Sequence, residues 1–163
     1  MVTIDKINSI ILNELQKNCR ISFTNLAKIV NLSVDSTKKR FNKLLKNGLF
    51  YPKIQLRPRH FGYPNIVEVK IKLQNYDANE FQLFIDYLKN NPRIIQILSL
   101  SGEWNISIVF IAKDFSDVGV VSENIRNKFG KIIGDWSESL TTCVHKFENY
   151  HMIKLLEDMN KDV

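Results

Sequence analysis

The spacing of apolar residues changes once along this chain, and that change constrains the fold more than any other feature. Through the first fifty residues apolar positions recur at intervals of three and four. Beyond Val67 they alternate with polar residues or gather in short β-branched runs, with two helical stretches between. Helical spacing buries one stripe of a helix and alternation buries one face of a sheet. The chain therefore reads as a small all-helical head followed by a mixed body.

Three helices are predicted in the head. Asp5 is placed to cap one that runs to about Lys17, with Ile7, Ile10, Ile11 and Leu15 on its apolar stripe. Ser22 caps a second, with Phe23, Leu26, Ala27, Ile29 and Val30 inward, and Asn31 tolerates the left-handed turn that ends it. Ser33 caps a third, whose stripe is Val34, Thr37, Phe41, Leu44 and Leu45. Asn47-Gly48 stops that helix. A helix, a turn of about three residues and another helix make a helix-turn-helix.

Charge follows the same division. Residues 1–60 hold twelve Lys or Arg against three acids, a balance of +9, while residues 61–163 hold eleven against fourteen, a balance of −3. A basic module beside an acidic one points to a polyanionic partner for the first. The outward face of the third helix presents Asp35, Ser36, Lys38, Lys39, Asn42, Lys43 and Lys46, with Arg40 at its margin and Ser33 at its start. These are candidate DNA-binding residues, those near the helix start for base edges and the later lysines for phosphates. Asp35 either complements the helix dipole or accepts from a cytosine amino group.

After the head, Tyr51-Pro52 and Arg57-Pro58 disfavour helix, and Ile54 and Leu56 alternate with polar neighbours, so residues 51–64 read as an extended linker with a short strand. The body, residues 65–148, reads strand, helix, strand, strand, helix, strand. The first strand alternates Val67, Val69, Ile71 and Leu73 with Glu68, Lys70 and Lys72. Asp77 or Asn79 starts a helix with Phe81, Phe84, Ile85 and Leu88 inward, ended by Asn91-Pro92. Ile94 to Leu100 and Ile106 to Ala112 form a hairpin around Ser101–Asn105. Asp114 caps a helix with Phe115, Val118, Val121, Ile125 and Phe129 inward, Gly130 and Gly134 bracket a turn, and the last strand lies between Trp136 and Phe147. That order gives an α+β, ferredoxin-like βαββαβ sandwich. The tail, 149–163, has Met152, Ile153, Leu155, Leu156 and Met159 at helical spacing. It either docks on a neighbouring subunit or frays.

Several function classes fall away. A 163-residue chain with 44% hydrophobic and 25% charged residues is neither disordered, collagen-like nor a coiled-coil rod. Its longest apolar runs are far short of the ~18 residues of a membrane helix, and no secretory leader opens the chain, so a cytoplasmic protein is expected. Cys19 and Cys143 have no CxxC partner, and with His60, His145 and His151 they show no metal-ligand spacing. No paired carboxylates, nucleophile–base set or phosphate loop points to an enzyme, and no cofactor is implied.

The head resembles the DNA-binding half of the Lrp/AsnC (feast/famine) transcription regulators. The resemblance rests on Asp5, Ile11, Leu12 and Leu15, on Arg20-Ile21-Ser22, on Leu26-Ala27 and Leu32-Ser33, and on Arg40, Leu44 and Gly48. Thr37 stands where the family usually has a small or branched apolar residue. The body's element order matches the family's effector-binding and oligomerisation domain, so the resemblance covers residues 1 to about 148 with a winged helix-turn-helix at 1–50. It implies a sequence-specific regulator of double-stranded DNA, a homodimer or higher oligomer such as a tetramer or octamer, with the 51–64 strand pairing across the dimer. It implies too a small-molecule effector such as an amino acid, held near the hairpin loop Gly102-Glu103-Trp104-Asn105, with Thr141 and Thr142 nearby. Asn105 replaces the family's acid, and an amide lacks a carboxylate's ionic attraction. The loop is otherwise a plain turn, and Trp104 either lines a pocket or covers the sheet. Two alternatives use the same plan. Siroheme decarboxylases carry histidine and arginine around the second strand, whereas Ile94–Ser101 here has no ionisable side chain and only Trp104-Asn105 resembles theirs. A ligand sensor acting through protein contacts is the other, and the lysines of the third helix argue against it.

Overall fold

The computed structural model describes residues 4–161, so the outermost residues of the predicted head and tail lie outside the described range. The chain divides into two compact units. One, the head, takes the residues up to Gln55 together with those from His145 onward, and the other, the body, runs from Leu56 to Val144. The division falls inside the predicted linker.

Three helices form the N-terminal part of the head as their caps dictate: α1 (Lys6–Lys17), α2 (Phe23–Val30) and α3 (Val34–Lys46). Asp5, Ser22 and Ser33 each accept a hydrogen bond from a backbone amide three residues on, which satisfies a donor the first turn leaves open. Asn31 ends α2 in the left-handed conformation (φ 53°), and Gly48 follows α3 at φ 69°, a region costly for most side chains. Ile11, Leu12, Leu26, Val30 and Leu44 form the core, with Ile7, Ile10 and Leu15 packed on it. Phe41 joins the helices to the segment after them by edge-to-face contacts with Phe23 (5.1 Å) and Phe50 (5.2 Å).

Three residues expected inward are exposed. Ile29 lies beyond the edge of the Leu26–Val30 stripe on α2. Val34 and Phe115 open their helices, where a side chain tilts back past the helix end and meets little neighbouring chain.

The described part of the tail is helical and docks on its own head. Met152–Met159 forms α6, which packs on α1. The Gln16 side-chain amide accepts from the Tyr150 backbone N–H (2.8 Å) and donates to the Tyr150 carbonyl (2.9 Å), while Asn13 Oδ1 accepts from the Met152 N–H (2.9 Å). Met152 then packs against the head's core.

In the body, β1 (Asn65–Leu73), α4 (Ala78–Asn90), β2 (Ile94–Ser99), β3 (Ile106–Ala112), α5 (Phe115–Phe129) and β4 (Ile133–Leu140) make an antiparallel sheet ordered β2-β3-β1-β4. This is the ferredoxin-like arrangement. Asp77 caps α4 with a full capping box to Glu80, and Asp114 caps α5. Val67, Val69, Ile71, Ile106, Ile108 and Phe110 from one sheet face meet Phe84, Leu88, Val121 and Ile125 from the two helices. Glu68, Lys70 and Lys72 lie on the other face, exposed, with Ser107 donating to Glu68 (3.3 Å). That face is half polar.

Two boundaries move. β4 begins at Ile133, paired with Leu73, so Gly134 lies inside the strand and does not close a turn; the strand ends at Leu140. Residues 51–57 join no ladder, and the Lys53 N–H donates to the Tyr51 carbonyl (2.8 Å) in a tight turn; a single turn of 3-10 helix follows at Pro58–His60.

Candidate nucleic-acid interface

The turn between α2 and α3 is held from inside. Ser33 accepts from the Ser36 N–H (3.1 Å) and donates to the Ser36 hydroxyl (2.9 Å), and Thr37 donates to the Ser33 carbonyl (2.9 Å). Thr37 is fully buried, and this bond supplies the partner that its hydroxyl needs in an otherwise apolar position. Thr37 and Leu44 thus fix which face of α3 points inward.

The opposite face carries Asp35, Ser36, Lys38, Lys39, Asn42, Lys43 and Lys46, all exposed, as is Ser33 at the helix start. Among the described residues the head's salt bridges lie elsewhere, at Lys17–Glu14, Arg40–Asp5 and Lys161–Asp158. Four lysines on one face of a thirteen-residue helix make a local cationic strip. Lys43 and Lys46 stand in the last turn, where the dipole favours positive charge, and Asp35 stands in the first, where it favours negative charge.

Arg40 does not share this outward strip. Its Nη1 donates to Asp5 Oδ2 (2.6 Å) and Asn8 Oδ1 (3.0 Å), both at the start of α1. Partial burial pushes the Asp5 carboxyl up, but the Asn8 amide and the Arg40 guanidinium outweigh it and hold the group below its ordinary range. The link from Asp5 and Asn8 to Arg40 has no sequence signature, since a pair 35 residues apart leaves no periodic signal.

The hairpin loop is organised by the strands it joins. Gly102 turns it at φ 131°. Asn105 is committed to the sheet: its Oδ1 accepts from the Leu73 N–H (2.7 Å), its N–H donates to the Ile71 carbonyl (3.0 Å), and its carbonyl accepts from Leu100 (2.8 Å). The acceptor at this position thus closes the end of β1. Glu103 is exposed and Trp104 half-buried. Thr141 and Thr142 offer their carbonyls to Arg59 (2.8 and 3.2 Å).

A family model for winged helix-turn-helix DNA-binding domains matches residues 4–50. The chain is similar to the HTH-type transcriptional regulator LrpA of Pyrococcus abyssi, 31% identical over 134 residues that span 80% of this chain and 89% of the relative. Among solved structures it is similar to the Neisseria meningitidis transcriptional regulator NMB0573 in complex with L-Met (TM-score 0.80, 20% identity, 89% of this chain and 94% of that one). It is also similar to an AsnC family transcriptional regulator from Agrobacterium tumefaciens (TM-score 0.79, 20% identity, 88% and 94%).

Proposed function

The chain belongs to the Lrp/AsnC family and is a DNA-binding transcription regulator, and from that premise we propose that α3 is its recognition helix. The observation that carries this reading is the face of α3 opposite Thr37 and Leu44, which is exposed, unpaired with acids of the head's salt bridges, and built of lysines and hydrogen-bonding groups. Ser36 and Asn42 reach base edges, while Lys38, Lys39, Lys43 and Lys46 meet phosphates. Ser33 contributes as the cap that aims Ser36, and Asp35 stabilises the helix start. The DNA-binding module is then residues 1–50, steadied by the tail helix.

Ser36→Ala tests the readout. The Ser36 hydroxyl accepts from Ser33 and keeps its own proton for a base acceptor. The variant is expected to select a different motif from random duplexes, with overall affinity little changed. An unchanged motif removes Ser36 from the readout.

The functional unit is a dimer, with two copies of α3 entering successive major grooves about one helical turn apart. The half-polar sheet face around Lys70, Ser107 and Val109 supports pairing of like with like, since Glu68 and the lysines offer both charge signs. Sedimentation at micromolar concentration should give a dimer or larger; a monomer contradicts this part. An amino acid is the proposed class of effector, supported by the L-Met named with the Neisseria structure and by the charged Glu103 and half-buried Trp104 beside the turn. Adding an amino-acid mixture should shift the DNA-binding curve, and an unmoved curve rejects it.

A further inference from the structure

The geometry points to Arg40 and Asp5 as a positioning pair that sets the angle of the recognition helix, with Arg40 acting through α1 and not through DNA. The inference rests on the reading of α3 as the DNA-facing helix. Asp5 makes two connections at once. Its Oδ1 accepts from the Asn8 N–H (2.7 Å), which closes the first turn of α1, and its Oδ2 accepts from Arg40 (2.6 Å), in the middle of α3. The same Arg40 nitrogen reaches Asn8 Oδ1 (3.0 Å), and Asn8 is itself buried. One guanidinium thus ties α3 to the N-terminal turn of α1 at the residue next to Lys39 and one helical turn after Ser36.

The position matters because the other inward side chains of α3 tie it mainly to α2 and to the segment after α3, Phe41 through Phe23 and Phe50, while α3 meets α1 sparsely. Base contacts need side chains held within a fraction of an ångström. A charged hydrogen bond between helices that otherwise meet sparsely restrains the tilt of α3.

The inference makes a prediction opposite to simple electrostatics. Asp5→Asn removes a negative charge from the DNA-binding head, and charge alone calls for tighter binding to DNA. Asparagine caps helices as well as aspartate does, so the fold is retained. The positioning role calls for weaker binding, by about twofold to fivefold, the scale of a partly exposed ion pair. Arg40→Ala should weaken binding to a similar degree without changing the slope of log affinity against log salt, because no phosphate contact is lost. The double variant should be no weaker than either single one, the signature of residues that act as a unit.

The experiment is a salt titration of binding to a selected duplex by the full chain, at a temperature where circular dichroism shows each variant folded. It includes Asp5→Asn, Arg40→Ala, the double variant and Lys43→Ala. Weaker binding by both single variants at the parent's slope, without additivity, supports the pair. If Asp5→Asn binds as tightly as the parent or more tightly, or if Arg40→Ala lowers the slope by about one as a phosphate contact does, the positioning role is wrong. If Lys43→Ala also binds like the parent, the reading of α3 fails first and the pair falls with it. If Lys43→Ala lowers the slope while Asp5→Asn does not weaken binding, only the positioning role fails.

Discussion

A chain carrying both Lys39→Ala and Lys43→Ala is expected to bind every duplex about a hundredfold more weakly than the parent near 0.1 M salt. Each phosphate neutralised by a lysine releases about 0.9 of a counterion, worth roughly a factor of ten in affinity at that salt. Both side chains are exposed on the same face of α3 and stand outside the head's salt bridges. Removing them should lower the log–log salt slope by about two. It should weaken matched and mismatched duplexes alike, since phosphates carry no sequence information. Filter or fluorescence titrations across a range of salt measure both quantities. Parent-like binding at low salt takes α3 away from the DNA.

The second large effect is on stability. Leu44→Ala should unfold the head at ordinary temperature and abolish DNA binding. Leu44 is 1% exposed and packs among Ile11, Leu12, Leu26 and Val30. Truncating a leucine in such a core costs about 2–5 kcal/mol, and a module this small holds only about 3–5 kcal/mol in total. The body provides an internal control. Both tryptophans, Trp104 and Trp136, belong to it, so the tryptophan fluorescence transition should persist while helical ellipticity falls. Retained DNA binding and a parent-like thermal transition would contradict a core that depends on Leu44.

The local signals of the sequence read well because each carries its own hydrogen bond. Asp5, Ser22, Ser33, Asp77 and Asp114 all cap the helices expected of them. Alternation in β1 likewise identified its buried face, since period two allows no other choice. What escaped depends on partners distant in sequence. Arg40 sits among the outward lysines of α3, yet Asp5 draws it aside, and nothing near either residue announces the pair. The tail's apolar spacing showed a helix, but its seat on α1 is made by Asn13 and Gln16, whose amides look like ordinary surface residues. Asn105 stands in the hairpin loop, and its oxygen closes the end of β1, a bond that its position in the sequence does not announce. In each case a polar side chain satisfies a particular backbone or charged group, a choice that composition and periodicity do not encode.

Selection of bound sequences from random duplexes by the full chain tests the central claim, that this head reads sequence through α3. The account predicts a recurrent motif with two related half-sites whose centres lie about ten base pairs apart, one for each recognition helix of a dimer. A bound pool that matches the input in sequence, with no enriched motif, would contradict it.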